Sequence, residues 1–259
     1  MSDYTLDNRW HMARRRLSQL EEYLDPITKR RLNSLGTRPG LQCLEVGAGG
    51  GSVARWLSEQ VGPTGRVVAT DIDIRWLKDI KLANVEALTH DINLDSLPEG
   101  AFDIVHVRWL LHHLADPGLA IRRIISALCP GGWLLIEEVD FFPIYASDSQ
   151  VYIEFVVALS RSVVSPSGRD CFWARALPAL LAGTGLKAIG AEGDFAIMRG
   201  GSAFAEFFAL TAEQMRERIL QSGDLSPERL EAALELLRSS SFWAFGGAGV
   251  AVWGQRQEE

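Results

Sequence analysis

The most constraining feature of the chain is a glycine cluster directly behind an apolar run, in the segment CLEVGAGGGSVARWL at residues 43–57. Four of the five residues from Gly47 to Gly51 are glycine. The apolar run is typical of a buried strand, and residues 53–57 place apolar side chains at helical spacing. A strand, a glycine turn and a helix in this order present backbone amides and a helix dipole to a ligand group. The segment therefore predicts a βα unit built around a bound ligand.

The region from Gly40 to Val139 repeats this pattern, because short apolar runs alternate in it with amphipathic helical segments. Such alternation is typical of βαβ units and a parallel sheet. One of the helices should begin at Asp116-Pro117, a capping residue followed by proline at the first helical position. The predicted strands of this region are 41–46, 66–70, 85–90, 102–107 and 133–139.

The segments on either side of this region favour helices. Residues 9–35 predict two helices, the second opening at Asp25-Pro26. Ser147 and Gln150 are spaced as a capping box for a helix that follows the fifth strand. We therefore expect an N-terminal helical extension over residues 1–36 and one domain over 37–259 whose helical lid segments are about 140–170 and 200–241. The remaining predicted elements are a helix over 173–181 and strands over 186–198 and 242–256.

Composition bounds the function classes. The 259 residues are 47% apolar and 23% charged, so the chain can bury a sizeable core. A formal net charge of −7 argues against nucleic acid as a partner, because such binders usually show a basic face. Three cysteines favour small buried hydrophobes in a reducing compartment over disulfides. No apolar stretch has the length of a signal peptide or a membrane span, so we expect a cytoplasmic protein without a membrane partner.

Two carboxylates sharpen the reading of the glycine turn. Ser52 stands where the dinucleotide fingerprint G-x-G-x-x-G needs its third glycine. Asp71 follows the second strand, where a doubly wound sheet places an acid that binds both ribose hydroxyls. Asp91 follows the third strand, where a carboxylate can accept a hydrogen bond from an adenine amino group. Three such features behind three consecutive strands indicate a nucleoside-bearing cofactor.

These segments together resemble the class I S-adenosylmethionine-dependent methyltransferases. The resemblance covers about 100 residues, from Leu41 to Asp140, and it implies a Rossmann-like α/β fold. Its sheet would be doubly wound and seven-stranded, with the last strand antiparallel. The segments that carry the resemblance are LEVGAGGGSVARWL, VVATDIDIRWL, HDINLDSLPEGAFDIVHVRWLLHHLADP and LCPGGWLLIEEVD.

The resemblance also implies the cofactor site. Glu45 would orient the glycine turn, Asp71 would bind the ribose, and Asp91 would recognise the adenine edge. The N-terminal helix is expected to close over the cofactor, so Tyr4, Trp10 or Arg16 would reach its carboxylate. No metal is expected. The full set of predicted cofactor residues is Glu45, Gly47, Ala48, Gly49, Gly51, Asp71, Ile72, Asp91, Ile92, Arg108, Trp109 and Arg16.

Candidates for a general base follow the fourth strand. A base is needed where the methyl acceptor is a hydroxyl, an acidic carbon or a protonated amine. His112 and His113 lie near the expected cofactor end of the cleft, and His113 is favoured because it precedes a turn. His11 is a third candidate if the N-terminal helix folds over the site. A histidine at this place can also serve only packing, so all three stay candidates.

The acceptor is predicted from the aromatic residues of the lid segments. Connections at the carboxyl ends of the strands surround the ligand in such a sheet, so the stretch behind the fifth strand should line the substrate pocket. An apolar or aromatic small molecule would fit there. The predicted substrate-binding residues are Asp140, Phe142, Tyr145 and Trp173.

The sequence thus predicts a small-molecule methyltransferase that converts S-adenosyl-L-methionine to S-adenosyl-L-homocysteine. It would act on oxygen, nitrogen or carbon of a bacterial natural-product intermediate, as a monomer or homodimer. Two alternatives stay open. One is a protein that binds S-adenosylmethionine without transferring its methyl, as a cyclase-like enzyme or a binding module. The other is a nicotinamide-dependent oxidoreductase, which the missing third glycine disfavours.

Overall fold

A computed structural model of the chain describes residues 5–164 and 170–258. Its centre is a seven-stranded sheet of order β3-β2-β1-β4-β5-β7-β6. Strands β1 to β5 pair in parallel, and β7 runs antiparallel between β5 and β6. The predicted α/β sheet with an antiparallel last strand is confirmed. The strands are β1 Gln42–Val46, β2 Arg66–Asp71, β3 Val85–Thr89, β4 Phe102–Arg108, β5 Leu128–Asp140, β6 Lys187–Arg199 and β7 Trp243–Gln255.

Eight α-helices lie among the described residues, on both faces of the sheet and beyond its carboxyl edge. We call α4, α6, α7 and α8 the lid. The helices are α1 Ala13–Ser34, α2 Ser52–Val61, α3 Pro117–Ala127, α4 Gln150–Val163, α5 Leu177–Ala182, α6 Ala203–Gln214, α7 Arg216–Ser222 and α8 Pro227–Arg238.

Three apolar clusters hold these layers together. Leu32 of α1 and Leu57 of α2 pack on one face of the sheet. Ile124 of α3 packs on the opposite face with α5. The third cluster lies under the lid, where Phe155 of α4 and Phe208 of α6 are both buried. Strands covered on both faces need continuous apolar runs, which is the pattern that the sequence shows for β1, β4 and β5.

The register of the sheet places the functional segments next to one another. Val46, the last residue of β1, pairs with Thr70 of β2 and with Val107 of β4. The residues that follow these three strands therefore meet at one edge of the sheet. The glycine turn, Asp71 and Arg108 come together there.

The prediction of two N-terminal helices is wrong, because α1 is continuous through Pro26. Asp25 does not cap a second helix. Its carboxylate instead accepts hydrogen bonds from the Ser52 hydroxyl at 2.9 Å and from both terminal nitrogens of Arg108 at 3.1 Å. These tertiary bonds outweigh the local Asp-Pro signal, although Pro26 leaves one helical hydrogen bond unmade.

Of the other two predicted helix starts, one is confirmed and one is shifted by two residues. Asp116 caps α3 by accepting from the backbone of Leu119 at 2.9 Å, as predicted. The cap of α4 is Ser149, whose hydroxyl accepts from the Tyr152 amide at 3.3 Å, so the capping box predicted from Ser147 is wrong. Within the described ranges, no helix is long and apolar enough to cross a membrane.

Candidate active site

A cavity of about 410 Å³ lies at the carboxyl edge of the sheet, between the strand ends, α1 and the lid. Its walls come from the glycine turn, the loops behind β2 to β5, one face of α1, and helices α4 and α6. Such a position is where parallel α/β sheets bind their ligands.

The glycine turn forms the floor at one end. Gly47 and Gly49 have φ values of +72° and +53°, which favour glycine over other residues. A Cβ added at Gly47 would lie 3.1 Å from the Leu110 side chain, which also lines the cavity. Gly47, Ala48, Gly49 and Gly50 line the cavity. The predicted Gly51 instead packs away from it, since its Cβ would meet the Ile80 side chain at 2.8 Å.

Asp71 lies beside this turn. Its carboxylate accepts from the Gly49 amide at 2.9 Å and from the Asp73 amide at 3.0 Å. Burial raises its pKa, while these backbone hydrogen bonds act in the opposite direction. Carboxylate oxygens hold several lone pairs, so Asp71 keeps acceptor capacity for hydroxyl groups of a ligand in the cavity.

Asp91, Ile92 and Ile72 form the far end of the same half of the cavity. Asp91 accepts from the Asn93 amide at 2.9 Å, which holds the turn behind β3. His90 also lines this end, and neither of its ring nitrogens has a hydrogen-bond partner among the described residues. Sequence reasoning passed over His90, although its position directly before Asp91 at a strand end is the signal that points to it.

One face of α1 closes over the glycine turn. Arg14 pairs with Glu21 at 3.0 Å, and a Cβ on Gly50 would clash with both side chains. The Glu21 atom Oε1 is buried without a hydrogen-bond partner, and burial raises the pKa of this carboxyl. Arg16 also lines the cavity and is 1% exposed.

A buried charge network lies beneath the site. His106 of β4 bonds through Nδ1 to Glu45 at 2.7 Å and through Nε2 to Glu137 at 2.9 Å. Burial acts to lower the pKa of His106, but the two carboxylates outweigh it and raise the pKa to about 9. Arg31 of α1 also bonds to Glu137, at 2.6 Å. Glu45 thus links the glycine turn to β4.

Glu138, the neighbour of Glu137, faces the other side of the strand. One of its oxygens accepts from the backbone amides of Leu110 at 2.8 Å and Leu111 at 2.6 Å. Its other oxygen bonds to Nδ1 of His112 at 2.7 Å. The carboxylate is fully buried, so it fixes the Nδ1–H tautomer and leaves Nε2 of His112 as the acceptor.

His112 and His113 both line the cavity, with ring centroids 3.9 Å apart. The pKa of His113 lies well below its ordinary value, because burial, the adjacent His112 ring and the guanidinium charge of Arg16 all disfavour protonation. His113 is therefore neutral near pH 7. His113 forms a hydrogen bond with the backbone of Val163, whereas Glu138 bonds to His112, which distinguishes the two rings.

Arg108 and Trp109 follow β4. The Arg108 guanidinium donates hydrogen bonds to the Asp25 carboxylate and to the Thr28 hydroxyl, so its charge is paired with a residue of α1. Trp109 has a φ of +51°, which is uncommon for a bulky residue and marks a strained turn. Its ring packs edge-on against Phe207 of the lid, with centroids 5.9 Å apart. Both residues line the cavity, as predicted for this position.

The wall opposite the glycine turn is apolar. Phe141 directly follows β5, and helices α4 and α6 each contribute one face to this wall. On α6 these residues recur at i, i+1 and i+4, a spacing that could have identified the face from the sequence. The lid residues in this wall are Leu159, Val163, Phe207, Phe208 and Thr211.

The four residues predicted to bind substrate do not line this cavity. Asp140 is fully buried, and its carboxylate is bound to Arg175 at 2.9 Å. Phe142 and Tyr145 are exposed on the outer surface. Trp173 is buried against α3 and α5. The loop behind β5 carries these side chains away from the site, and Phe141 points inward in their place.

The N-terminal candidates are also separated. His11 is exposed, outside the cavity lining, and packs edge-on against Trp10 with centroids 5.4 Å apart. Of the three residues expected to reach the cofactor carboxylate, Arg16 alone lines the cavity among the described residues. Tyr4 lies outside the described residues.

Comparison with known proteins identifies the family. A family model described as a methyltransferase domain matches residues 12–187. The C-methyltransferase UbiE of ubiquinone and menaquinone biosynthesis from Ectopseudomonas mendocina is 34% identical over 111 residues, which are 40% of this chain and 43% of that protein. Methyltransferase str3 of Strobilurus tenacellus is 36% identical over 102 residues, 38% of this chain and 35% of the relative. The chain therefore matches less than half the length of either relative.

Solved structures agree in fold. The YcgJ protein from Bacillus subtilis covers 89% of this chain, and 98% of its own length is matched, with a TM-score of 0.61 at 18% identity. Phosphoethanolamine N-methyltransferase 2 of Haemonchus contortus, in complex with S-adenosyl-L-methionine, gives a TM-score of 0.63 at 17% identity, covering 100% of this chain and 60% of that one.

The chain belongs to the class I S-adenosylmethionine-dependent methyltransferase family. Within the part of the chain that the structure describes, no group of three or more His, Cys, Asp or Glu side chains could hold a metal ion.

Proposed function

We propose that the enzyme methylates an apolar or aromatic small molecule held between the donor and the lid. The observation that carries this proposal is the continuity of the cavity. One end is lined by the glycine turn, Asp71 and Asp91, and the other by Phe141 and the lid aromatics. A donor bound at the first end would face an acceptor at the second without a barrier between them.

The residues at the donor end suit S-adenosylmethionine. The backbone of Gly47 to Gly50, whose one side chain is the methyl group of Ala48, admits the methionine part closely, and Asp71 accepts from the ribose hydroxyls. Ile72 and Ile92 would pack on the adenine, whose amino group bonds to Asp91. Glu21 Oε1, buried and without a partner beside the turn, accepts from the α-ammonium group. The sulfonium of the bound donor supplies an electrophilic methyl group.

His112 is the proposed general base. Nε2 of His112 accepts the proton of the acceptor group, and Glu138 then stabilises the imidazolium through its hydrogen bond to Nδ1. His113 is less suited, because its lowered pKa makes it a poor proton acceptor. A base of this kind serves oxygen, nitrogen or an acidic carbon, so it does not restrict the acceptor atom.

The acceptor class follows from the apolar wall. Aromatic and aliphatic side chains dominate the lid half of the cavity, which excludes water and suits a planar apolar substrate. The relative that acts in ubiquinone and menaquinone biosynthesis supports a small apolar acceptor of this kind. We assign the acceptor to natural-product intermediates by analogy, because an Arg-rich N-terminal helix and a long lid are similar to those of bacterial methyltransferases in natural-product pathways.

Incubation with isotope-labelled S-adenosylmethionine and a panel of phenols, quinols and β-dicarbonyl compounds tests the proposal. A gain of one methyl group in the intact mass of an acceptor is the expected result. Conversion of an acceptor without this gain would indicate a non-transferase reaction and contradict it.

The base is tested on the same reaction. His112→Asn should lower kcat by about 10²- to 10⁴-fold, the usual contribution of a positioned base. His113→Asn is the matched control and should cost far less. Equal losses of kcat in the two variants would contradict the assignment of His112, rather than His113, as the general base.

A further inference from the structure

Arg16 is the charged residue that the proposed mechanism leaves unused. Its side chain is among the largest fully buried ones in the protein, at 1% exposure, and it lines the cavity. Two of its nitrogens, Nε and Nη2, are buried without any hydrogen-bond partner among the described residues. A buried guanidinium that lacks an anionic partner is costly, so its retention in the cavity wall points to an anion supplied by a ligand.

The two free donors have a specific geometry. Nε–H and one Nη–H point along the same edge of the planar guanidinium, which is the edge that binds a carboxylate through two parallel hydrogen bonds. A single hydroxyl or carbonyl oxygen would satisfy only one of them. The pattern of unmet donors therefore fits a planar, two-oxygen anion.

The position of Arg16 on α1 separates it from the donor end. Arg14, Leu17 and Glu21 recur at i, i+3 and i+7 and face the glycine turn, where a Cβ on Gly49 would lie 3.7 Å from Leu17. Arg16 shares its face instead with Leu20 and Tyr23, which is the side of α1 that meets the lid.

The contacts of that side are with α6. Tyr23 stacks on Phe204 with ring centroids 4.1 Å apart, and Arg15 forms an ion pair with Glu206. The charge of Arg16 is also felt by His113 at the acceptor end. The side chain of Arg16 therefore lies on the lid-facing side of α1, and it lines the same cavity as Phe207 and Phe208.

No other cation of the described lining residues competes for an anion there. Arg108 is bound to Asp25, and Arg14, which is paired with Glu21, is not among the lining residues. The acceptor half thus combines an apolar wall with one guanidinium whose Nε and Nη2 have no hydrogen-bond partner among the described residues.

We propose that the methyl acceptor is an apolar or aromatic carboxylic acid whose carboxylate is bound by Arg16. This deepens the proposed function and rests on it. The carboxylate anchors one end of the acceptor, while the lid aromatics hold its apolar body beside His112. Arg16 is thereby a specificity residue for the acceptor rather than a ligand of the donor's methionine carboxylate, the other carboxylate that could reach it.

Isothermal titration separates the two carboxylates. The probes are 2-naphthoate and its neutral analogue 2-naphthamide, titrated into the protein loaded with S-adenosylhomocysteine. The wild type should bind the acid at least about tenfold tighter than the amide, the range of a bidentate charge-assisted pair. Arg16→Met should abolish this preference and leave the Kd for S-adenosylhomocysteine within about threefold.

Two further variants serve as controls for Arg16→Met. Arg15→Met, the exposed neighbour, should behave as wild type. Arg16→Lys keeps the charge without the two-donor edge and should lose most of the acid preference, which serves if Arg16→Met does not fold.

Three results would overturn the proposal. These are equal binding of acid and amide by the wild type, no binding of either probe, or a loss of S-adenosylhomocysteine affinity of more than about tenfold in Arg16→Met but not in Arg15→Met. The last result would assign Arg16 to the donor. Failure of the wild type to bind S-adenosylhomocysteine at all would instead contradict the proposed function, independently of the naphthoate result.

Discussion

At the scale of single residues, the environment of His106 changes its ordinary acid–base chemistry. It is fully buried between Glu45 and Glu137, and its pKa is raised to about 9 from 6.5. A proton on His106 of β4 allows one carboxylate to be buried on each of the two flanking strands, β1 and β5. This arrangement also holds the glycine turn in place, because Glu45 directly precedes Val46, the last residue of β1 before the turn.

The pH dependence of stability follows from these shifts. A raised pKa in the folded state stabilises the protein fully below pH 6.5, and this contribution is lost as the pH rises through about 9. The pKa of Glu137 is lowered to about 2, because its bonds to His106 and other groups outweigh burial. Its contribution is present above the ordinary value of 4.5 and is lost as the pH falls towards 2.

His106→Gln tests this network. Chemical denaturation should show a loss of about 3 kcal/mol near pH 7, the range for breaking a buried ion pair. The free energy of unfolding of the wild type should also fall between pH 7 and pH 9, whereas that of the variant should change less. Parallel curves for the two proteins over this range would contradict a protonated His106.

Single residues also mark how far the sequence predicts the site. The glycines, Asp71 and Asp91 were predictable, because each directly follows a strand and parallel strands bring their carboxyl ends to one edge. Phe207, Phe208 and the acceptor-side orientation of Arg16 were not. They reach the cavity through the packing of α6 and α1. Residue spacing predicts which side chains share a face of a helix, but not which part of the protein that face contacts.

At the scale of elements, α1 shows a tertiary contact overriding a local signal. Asp25-Pro26 has the sequence of a helix start, yet the helix continues because Asp25 is bound to Ser52 and Arg108. A tertiary contact also determines the direction of the loop behind β5. The paired Asp140 and Arg175 direct Phe142 outward, so nearness in sequence to the strand end did not predict nearness to the substrate.

Pro26→Ala should stabilise the protein. The substitution restores a backbone N–H within α1 at an exposed position and adds a residue of high helix propensity, so we expect a gain of about 1 kcal/mol or more in thermal or chemical unfolding. Ser18→Ala, another α1 substitution, reports the effect of propensity alone and should give a smaller gain. A loss of stability in Pro26→Ala would mean that the proline fits a distortion that the helix needs.

The glycine turn is tested by Gly47→Ala. Its φ of +72° and the nearby Leu110 side chain mean that a methyl group strains the turn and narrows the donor end. We expect the Kd for S-adenosylhomocysteine to rise by at least about tenfold in isothermal titration.

Gly100→Ala is the matched control. Gly100 has a similar φ of +62°, but a Cβ there meets nothing within 4 Å. It should lose stability without losing cofactor affinity. Unchanged affinity in Gly47→Ala would contradict the assignment of the turn to the donor.

At the scale of the whole molecule, the sheet was predictable and the enclosure of the site was not. Alternating strand and helix patterns, with the resemblance to a known family, gave seven strands and the antiparallel β7. The closing of α1 and the lid over the carboxyl edge depends on contacts between segments far apart in sequence, such as Tyr23 with Phe204 and Trp109 with Phe207. Those contacts convert an open strand edge into a cavity with two distinct ends.

A crystal structure with S-adenosylhomocysteine bound tests the central claim most directly, that one cavity holds donor and acceptor in adjacent halves. The adenine should lie near Ile72 and Ile92, and the ribose hydroxyls should bond to Asp71. The sulfur should face His112 and the lid aromatics, with Arg16 free of the homocysteine carboxylate. A ligand whose sulfur faces away from the lid half, or one bound outside the cavity, would contradict the account.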